Sequence, residues 1–371
     1  MENTHAQRRW QLYFKLSSAI AQIDNAHVRS LLEAQETQNG WGKSQTIEIE
    51  RSKVFVKRVP LTDIEYEHMF STRNVYDLPT YYNYGIGSAG LGIFRELVTH
   101  IKTTNWVLEG AIASFPLLYH YRIIPFFGER AAVDMERHER YVSYWGGNAN
   151  IDRYILDRAS ANYELVLFLE YIPHTVSNWL LAHPGKVSMV LADMQVTITF
   201  MRSKGMIHFD NDFSNMLTDG WQTYLADFGL VLDKQFTLTP AEQLFYKQHS
   251  WYDYANLLWN LGDHLFWIYS ALSEADQHSI ATQCGISAGL TFDEIIPLLL
   301  HHLDELAANE PMKLDWSYVA SIRKYRSVID FMNTFHSTLR RNNQKDTRFQ
   351  HTTLQRLLKA AGFVAGAGSS A

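Results

Sequence analysis

The decisive stretch reads Gly205-Met-Ile-His-Phe-Asp-Asn-Asp-Phe-Ser-Asn-Met-Leu217, followed by Tyr224-Leu-Ala-Asp-Phe-Gly-Leu230. It sets His208-x-Asp210-x4-Asn215 ahead of Asp227-Phe-Gly229, with twelve residues from Asn215 to Asp227. Between them, residues 215–217 and 221–226 read as two short strands, and Asp219-Gly220 is the residue pair a tight hairpin turn requires. Such a hairpin returns Asn215 and Asp227 to one end of the two strands. Taken singly, Asp210 and Asp227 read as solvated loop carboxylates. Taken together, in this order and around one hairpin, they are hard to dismiss that way.

Working outward, Val187, Val190, Leu191, Met194, Ile198 and Met201 fall at i, i+3, i+4, i+7, i+11 and i+14, an amphipathic helix leading into the stretch. Upstream, residues 46–50 and 53–59 form a hairpin pattern around Arg51-Ser52. Residues 115–127 and 163–171 read as strands and residues 91–108 as a helix. Residues 60–90 are irregular and rich in Tyr and Gly. The charged stretch 128–160 reads as an insertion or long hairpin loop. Residues 1–36 read as helical, and from residue 240 onward nearly everything does, with Thr291-Phe-Asp-Glu294 a capping box. The expected fold class is therefore α+β, with a β-rich N-lobe, a helical C-lobe and a ligand cleft between them. The expected segments are a helical extension 1–37, an N-lobe 38–172 containing the insertion 128–160, a C-lobe 173–320, and a basic helical segment 321–371 with a frayed Gly/Ala/Ser-rich end.

His-x-Asp-x4-Asn followed by Asp-Phe-Gly resembles the H-R-D-x4-N and D-F-G motifs of the protein-kinase superfamily, over roughly residues 38–275. The resemblance implies a kinase-like bilobal fold binding ATP and Mg²⁺. Asp210 would accept or orient the proton of the attacking hydroxyl, and Asn215 and Asp227 would hold Mg²⁺ through oxygen ligands. Val54-Phe-Val-Lys57 resembles the family's V-A-I-K strand, which makes Lys57 the phosphate-binding lysine, with Lys53 as competitor. Glu96, in a helical pattern, looks like its carboxylate partner, ahead of Glu65 and Glu67. Gly40 and Gly42 lie where the glycine-rich loop belongs, although Gln45 replaces the third glycine. Leu169 stands at the gatekeeper position, and backbone groups near Glu170 and Ile172 would bind adenine. Asp253 resembles the structural aspartate that opens a buried helix.

The pattern also departs from the family. Phe209 replaces the Arg that binds an activation-loop phosphate. Asp212 stands where Ser/Thr protein kinases carry a Lys. No Ala-Pro-Glu lies in the 23 residues between Gly229 and Asp253, and Thr239 with Pro240 reads as a helix start. Atypical bacterial kinase-like proteins and the aminoglycoside and choline kinases share such traits.

Composition narrows the function classes. The 371 residues are 46% hydrophobic, enough for a large core, and the net charge of −6 disfavours a nucleic-acid binder. From Ser321 onward, however, nine Lys/Arg face only Asp330 and Asp346. That segment is either a solvated basic face or a docking surface for an acidic partner. The single Cys284 excludes an internal disulfide, and no apolar leader or span stands out, so a cytoplasmic enzyme is expected. The leading expectation is an ATP- and Mg²⁺-dependent atypical Ser/Thr protein kinase acting on a protein hydroxyl. A small-molecule kinase of the same fold and a nucleotide-binding pseudokinase are the alternatives.

Overall fold

The computed structural model describes residues 2–34, 38–39, 42–130, 132–308, 310–342 and 345–364, with the backbone alone at 2–4 and 38–39. The fold is mixed α/β, mostly helical with a small antiparallel sheet. The chain divides into two compact units: Met1–Pro173 with Ala226–Gln243, and His174–Leu225 with Leu244–Ala371.

The first unit is built on a five-stranded antiparallel sheet. Its strands are β1 (Gln38–Asn39), β2 (Lys43–Ile49), β3 (Ser52–Leu61), β4 (Leu118–Pro125) and β5 (Tyr163–Glu170), ordered β1-β2-β3-β5-β4. Alternation along β3 separates two faces. Phe55, Lys57, Val59 and Leu61 share one face with Leu165, Leu167 and Leu169 of β5, because Lys57 pairs with Leu167. Helix α4 (Ile93–Leu108) supplies Ile93, Phe94 and Leu97 to the core on that face. The other face carries Arg58, Glu164 and Glu170. Helices α1 (Glu2–Gln22) and α2 (Asn25–Glu33) lie against β2 and β4, split by Asp24, whose carboxylate caps α2 at His27 N–H. The single helical reading of 1–36 missed that cap.

Two further corrections belong here. Residues 128–160 are not a loop: they fold as α5 (Met135–Tyr144) and α6 (Ala149–Ala159), capped by Asp134 and Asn148. The charged composition hid the stripe Ile151, Tyr154 and Arg158, which is buried, and Trp145 is wholly enclosed between Tyr81, Tyr82 and Tyr144. Residues 60–90 begin with a short helix, α3 (Asp63–Glu67), closed by a capping box between Thr62 and Glu65. The short strand β10 (Leu232–Asp233) completes this unit.

The second unit is helical around a small sheet. Strand β6 (His174–Thr175) leads into α7 (Val176–Ala182) and α8 (Val187–Lys204), and α8 ends at Gly205 in the left-handed region. The stripe expected on α8 is buried. Strand β7 (Met206–Ile207) precedes the decisive loop, and β8 (Met216–Thr218) pairs antiparallel with β9 (Thr223–Leu225) around Gly220 at φ 91°. Helix α9 (Pro240–Gln248) bridges the two units in sequence. Then follow α10 (Tyr252–Ser270), α11 (Glu274–Cys284), α12 (Phe292–His301), α13 (Leu303–Ala308), α14 (Trp316–Arg341) and α15 (His351–Ala360). Helix α10 is buried nearly all round, and Gly262 explains how α12 and α14 approach it. A Cβ there would lie 3.0 Å from Ile329 and 3.3 Å from Ile296. Among the described residues, no helix is long and apolar enough to cross a membrane.

Candidate functional site

In the first unit, Lys57 points to the α4 face of the sheet. Its Nζ donates to Glu96 Oε1 at 2.7 Å and to Asp227 Oδ1 at 2.8 Å. Burial works against the Lys57 charge, but Asp227 and Glu96 outweigh it and raise the pKa, so the ammonium is fixed. Burial pushes the Glu96 carboxyl up, and Lys57 pulls it back. Asp227 is 42% exposed along its side chain and sits at φ 58°, a left-handed conformation that Asp tolerates better than most residues. Glu65, the competitor for Lys57, is occupied otherwise: its Oε1 accepts the Ile93 N–H at the start of α4, and its Oε2 closes the α3 capping box.

Leu169 and Glu170 are both engaged within the first unit. Gly40 lies outside the described residues. Gly42 is required by its neighbour strand, since a Cβ there would meet the Arg58 carbonyl oxygen at 2.6 Å. Leu169 belongs to the core beside α4 and is nearly fully buried. Glu170 is committed on both sides: its N–H donates to Leu117 O at 2.8 Å, and its carboxylate takes two bonds from Arg9, at 2.9 and 2.7 Å. No local pattern links Arg9 to Glu170, 161 residues away. Ile172 is half-buried just past β5.

In the second unit, α10 organises the decisive loop. Asp253 accepts the His208 N–H at 2.7 Å and the Phe209 N–H at 2.9 Å, one on each oxygen. Burial raises its pKa to about 6, against the pull of those two bonds. Asn211 donates to Asp253 O, and Asn260 donates to Asn211 O while accepting the Phe213 N–H. Neither Asn256 nor Asn260 was singled out from sequence; both lie one and two helical turns beyond Asp253 on the same face. Phe209, at φ 66°, stacks on Phe245 and lies among His249 and Tyr252.

The same loop gathers Asp210 and Asn215. Asn215 Nδ2 donates to Asp210 Oδ2 and to Asp210 O, each at 2.9 Å. That anchors the amide nitrogen and turns Asn215 Oδ1 the other way. Asp212 is drawn inward: burial raises its pKa, Asn256 donates to Oδ1 at 3.0 Å, and the charge of Arg340 opposes the rise. Asn256 and Arg340 thus offset only part of the cost of burying its negative charge.

Within the first unit, Asp227 offers a half-exposed carboxylate, and within the second, Asn215 offers an amide oxygen; each is a donor of the hard-oxygen kind that suits a divalent cation such as Mg²⁺. Among the described residues, no group of three or more His, Cys, Asp or Glu could hold a metal by itself. Mg²⁺ commonly takes only one or two protein carboxylates and completes its shell with water and phosphate oxygens.

The basic C-terminal segment is largely engaged within its own unit. Arg340 pairs with Asp293 at 2.6 Å, Arg323 with Asp304, and Arg326 with Asp330, while the buried Lys345 caps α14 through the carbonyls of Leu339 and Arg340. The excess of positive charge read from composition is therefore not a free surface at these positions. No family model matches the chain, and no curated protein matches it either.

Proposed function

We propose that this protein is an ATP- and Mg²⁺-dependent phosphotransferase of protein-kinase-like fold, acting on a protein Ser/Thr hydroxyl. The observation that carries the reading is Lys57 held between Glu96 and Asp227 at 2.7 and 2.8 Å. A cation fixed by two carboxylates, one of them half-exposed, suits the binding of phosphate oxygens. Bound Mg·ATP would supply the transferable phosphoryl group and the divalent charge that neutralises it. Asp210, bonded by Asn215, would take the proton of an acceptor hydroxyl. By the motif resemblance, the Asp227 carboxylate of the first unit and Asn215 Oδ1 of the second are the oxygens that would serve as Mg²⁺ ligands. Asp253 holds the Asp210 loop through backbone bonds and does no chemistry itself. With the Glu170 N–H already donated, Ile172 is the hinge position left to meet adenine.

One observation favours a small-molecule acceptor as the second reading. The segment after Asp227 is bound down onto α4 through Lys102 to Asp233 and Arg95 to Glu242, which is a poor start for an open peptide platform. Incubation with Mg·ATP and either a cell lysate or a panel of amino- and hydroxyl-bearing metabolites separates the two. Phosphate on protein, found by mass spectrometry, supports the first; phosphate on a metabolite alone supports the second.

A further inference from the structure

Helix α4 does more than carry Glu96. Arg95, its neighbour in sequence, pairs with Glu242 at 2.7 Å, and both side chains are 1% exposed. Arg95 Nε also donates to Thr72 O at 2.8 Å. Two turns on, Lys102 pairs with the fully buried Asp233 and donates to Gln235 Oε1 at 2.7 Å. Between them His100 meets the Phe228 ring edge-on, with centroids 4.7 Å apart. The residues ahead of α4 grip the same segment by its backbone. Leu91 N–H donates to Gly229 O at 3.1 Å, and Asn83 Nδ2 donates to Leu230 O at 3.0 Å. Positions 228, 229, 230, 233 and 242 are thus all tied to residues 83–102, and every tie uses ordinary side chains or backbone.

The ties account for what Phe209 lacks. An aromatic ring there offers no charge to a phosphate, so a phosphorylated residue could not order the segment by pairing with it. Arg95 meets the Glu242 carboxylate through Nη2 in a dry setting, where a lone partner would be left as an uncompensated charge. Glu242 is itself pinned, because it caps α9 through the Thr239 N–H at 2.9 Å.

We propose that Arg95 is a positioning residue: through Glu242 it fixes residues 227–242 against α4, and so keeps Asp227 on Lys57 without phosphorylation of that segment. The inference rests on the phosphotransferase reading for its consequence in activity, but not for its structural content.

The test is hydrogen–deuterium exchange on the full chain, comparing wild type with Arg95→Met and Glu242→Gln, paired with transfer kinetics. Glu242→Gln keeps the side-chain shape and serves if Arg95→Met does not fold. In each variant, amides of residues 227–236 are expected to exchange at least ~10-fold faster while those of β3 and β5 hold their rates. Arg95→Lys recovers part of the protection. Transfer at saturating ATP falls at least ~10-fold with KM for ATP within about threefold, and phosphatase-treated wild type keeps its full rate. Unchanged exchange in Glu242→Gln, or a uniform rise across the sheet, overturns the proposal. A wild type without transfer removes the phosphotransferase reading, and the exchange result still decides the positioning role.

Discussion

Lys57 Nζ donates to Glu96 Oε1 at 2.7 Å, in a place where burial opposes both charges. Removing one partner leaves the other uncompensated. Lys57→Met is expected to destabilise the chain by about 2 kcal/mol, below the full range for a buried pair because the Lys57 side chain is one-fifth exposed. It also abolishes transfer. Lys57→Met combined with Glu96→Gln regains most of the stability but none of the activity. Denaturant midpoints check this, and equal losses in the single and double variants would show that the two charges are not coupled.

Asp210 and Asp253 lie in one loop network with different duties. Asp253→Asn leaves one acceptor oxygen for two backbone N–H groups and costs about 2 kcal/mol. Asp210→Ala removes the Asn215 amide bond to its carboxylate and is expected to change stability by about 1 kcal/mol, yet to remove transfer. Thermal unfolding beside an activity assay separates them. If Asp253→Asn kept full stability, its two backbone bonds would not be holding the loop.

Buried imidazoles make the second unit sensitive to acid. His264 is nearly fully buried against Phe213 and Tyr318, and burial lowers its pKa to about 4. A folded-state pKa below the unfolded value means stability that is present above about pH 6.5 and lost as pH falls toward 4. Asp253 and Asp263, pushed up to about 6 and about 7, act with the opposite sign, so the difference between variants is the clean readout. From pH 7.5 to pH 5, wild type should lose about 2 kcal/mol relative to His264→Phe. Parallel pH profiles for the two proteins would contradict this.

Gly42 is a packing requirement. Gly42→Ala places a methyl 2.6 Å from the Arg58 carbonyl oxygen, which is backbone at the end of the β2–β3 register. A destabilisation of about 1–3 kcal/mol is expected in urea unfolding. A neutral result would show that β2 and β3 can shift apart at no cost.

Arg340 illustrates how a composition reading changes in three dimensions. Its pairing with Asp293 and its stacking over Phe292, 4.5 Å from the ring centroid, make charge reversal a stability defect. Arg340→Glu is expected to cost about 3 kcal/mol. A fully stable Arg340→Glu that loses an acidic partner in pull-downs would restore the docking reading.

The parts of the fold that were legible depend on local pattern. The α8 stripe, the Asp219-Gly220 hairpin, the Thr291–Glu294 capping box and the β2–β3 hairpin each carry their signal within a few residues. Lys57, Glu96 and Asp227 could be nominated because each sits in a short recognisable context, and they do meet in the first unit. Arg9 with Glu170 and Arg95 with Glu242 could not be, since each pair is separated by more than a hundred residues and no local pattern links the partners. Helices α5 and α6 were hidden because Arg158 and His138 occupy buried positions where apolar residues were sought. The helix start at Thr239-Pro240 was legible, but the reciprocal cap that orients Glu242 toward Arg95 was not.

The most direct measurement is transfer of radiolabelled γ-phosphate from ATP with Mg²⁺, comparing wild type with Asp210→Ala over a lysate and purified metabolites. Wild type is expected to yield labelled product, with a loss of at least ~100-fold in the variant. Mg·ATP binding without any Asp210-dependent transfer, to protein or to metabolite, would contradict it.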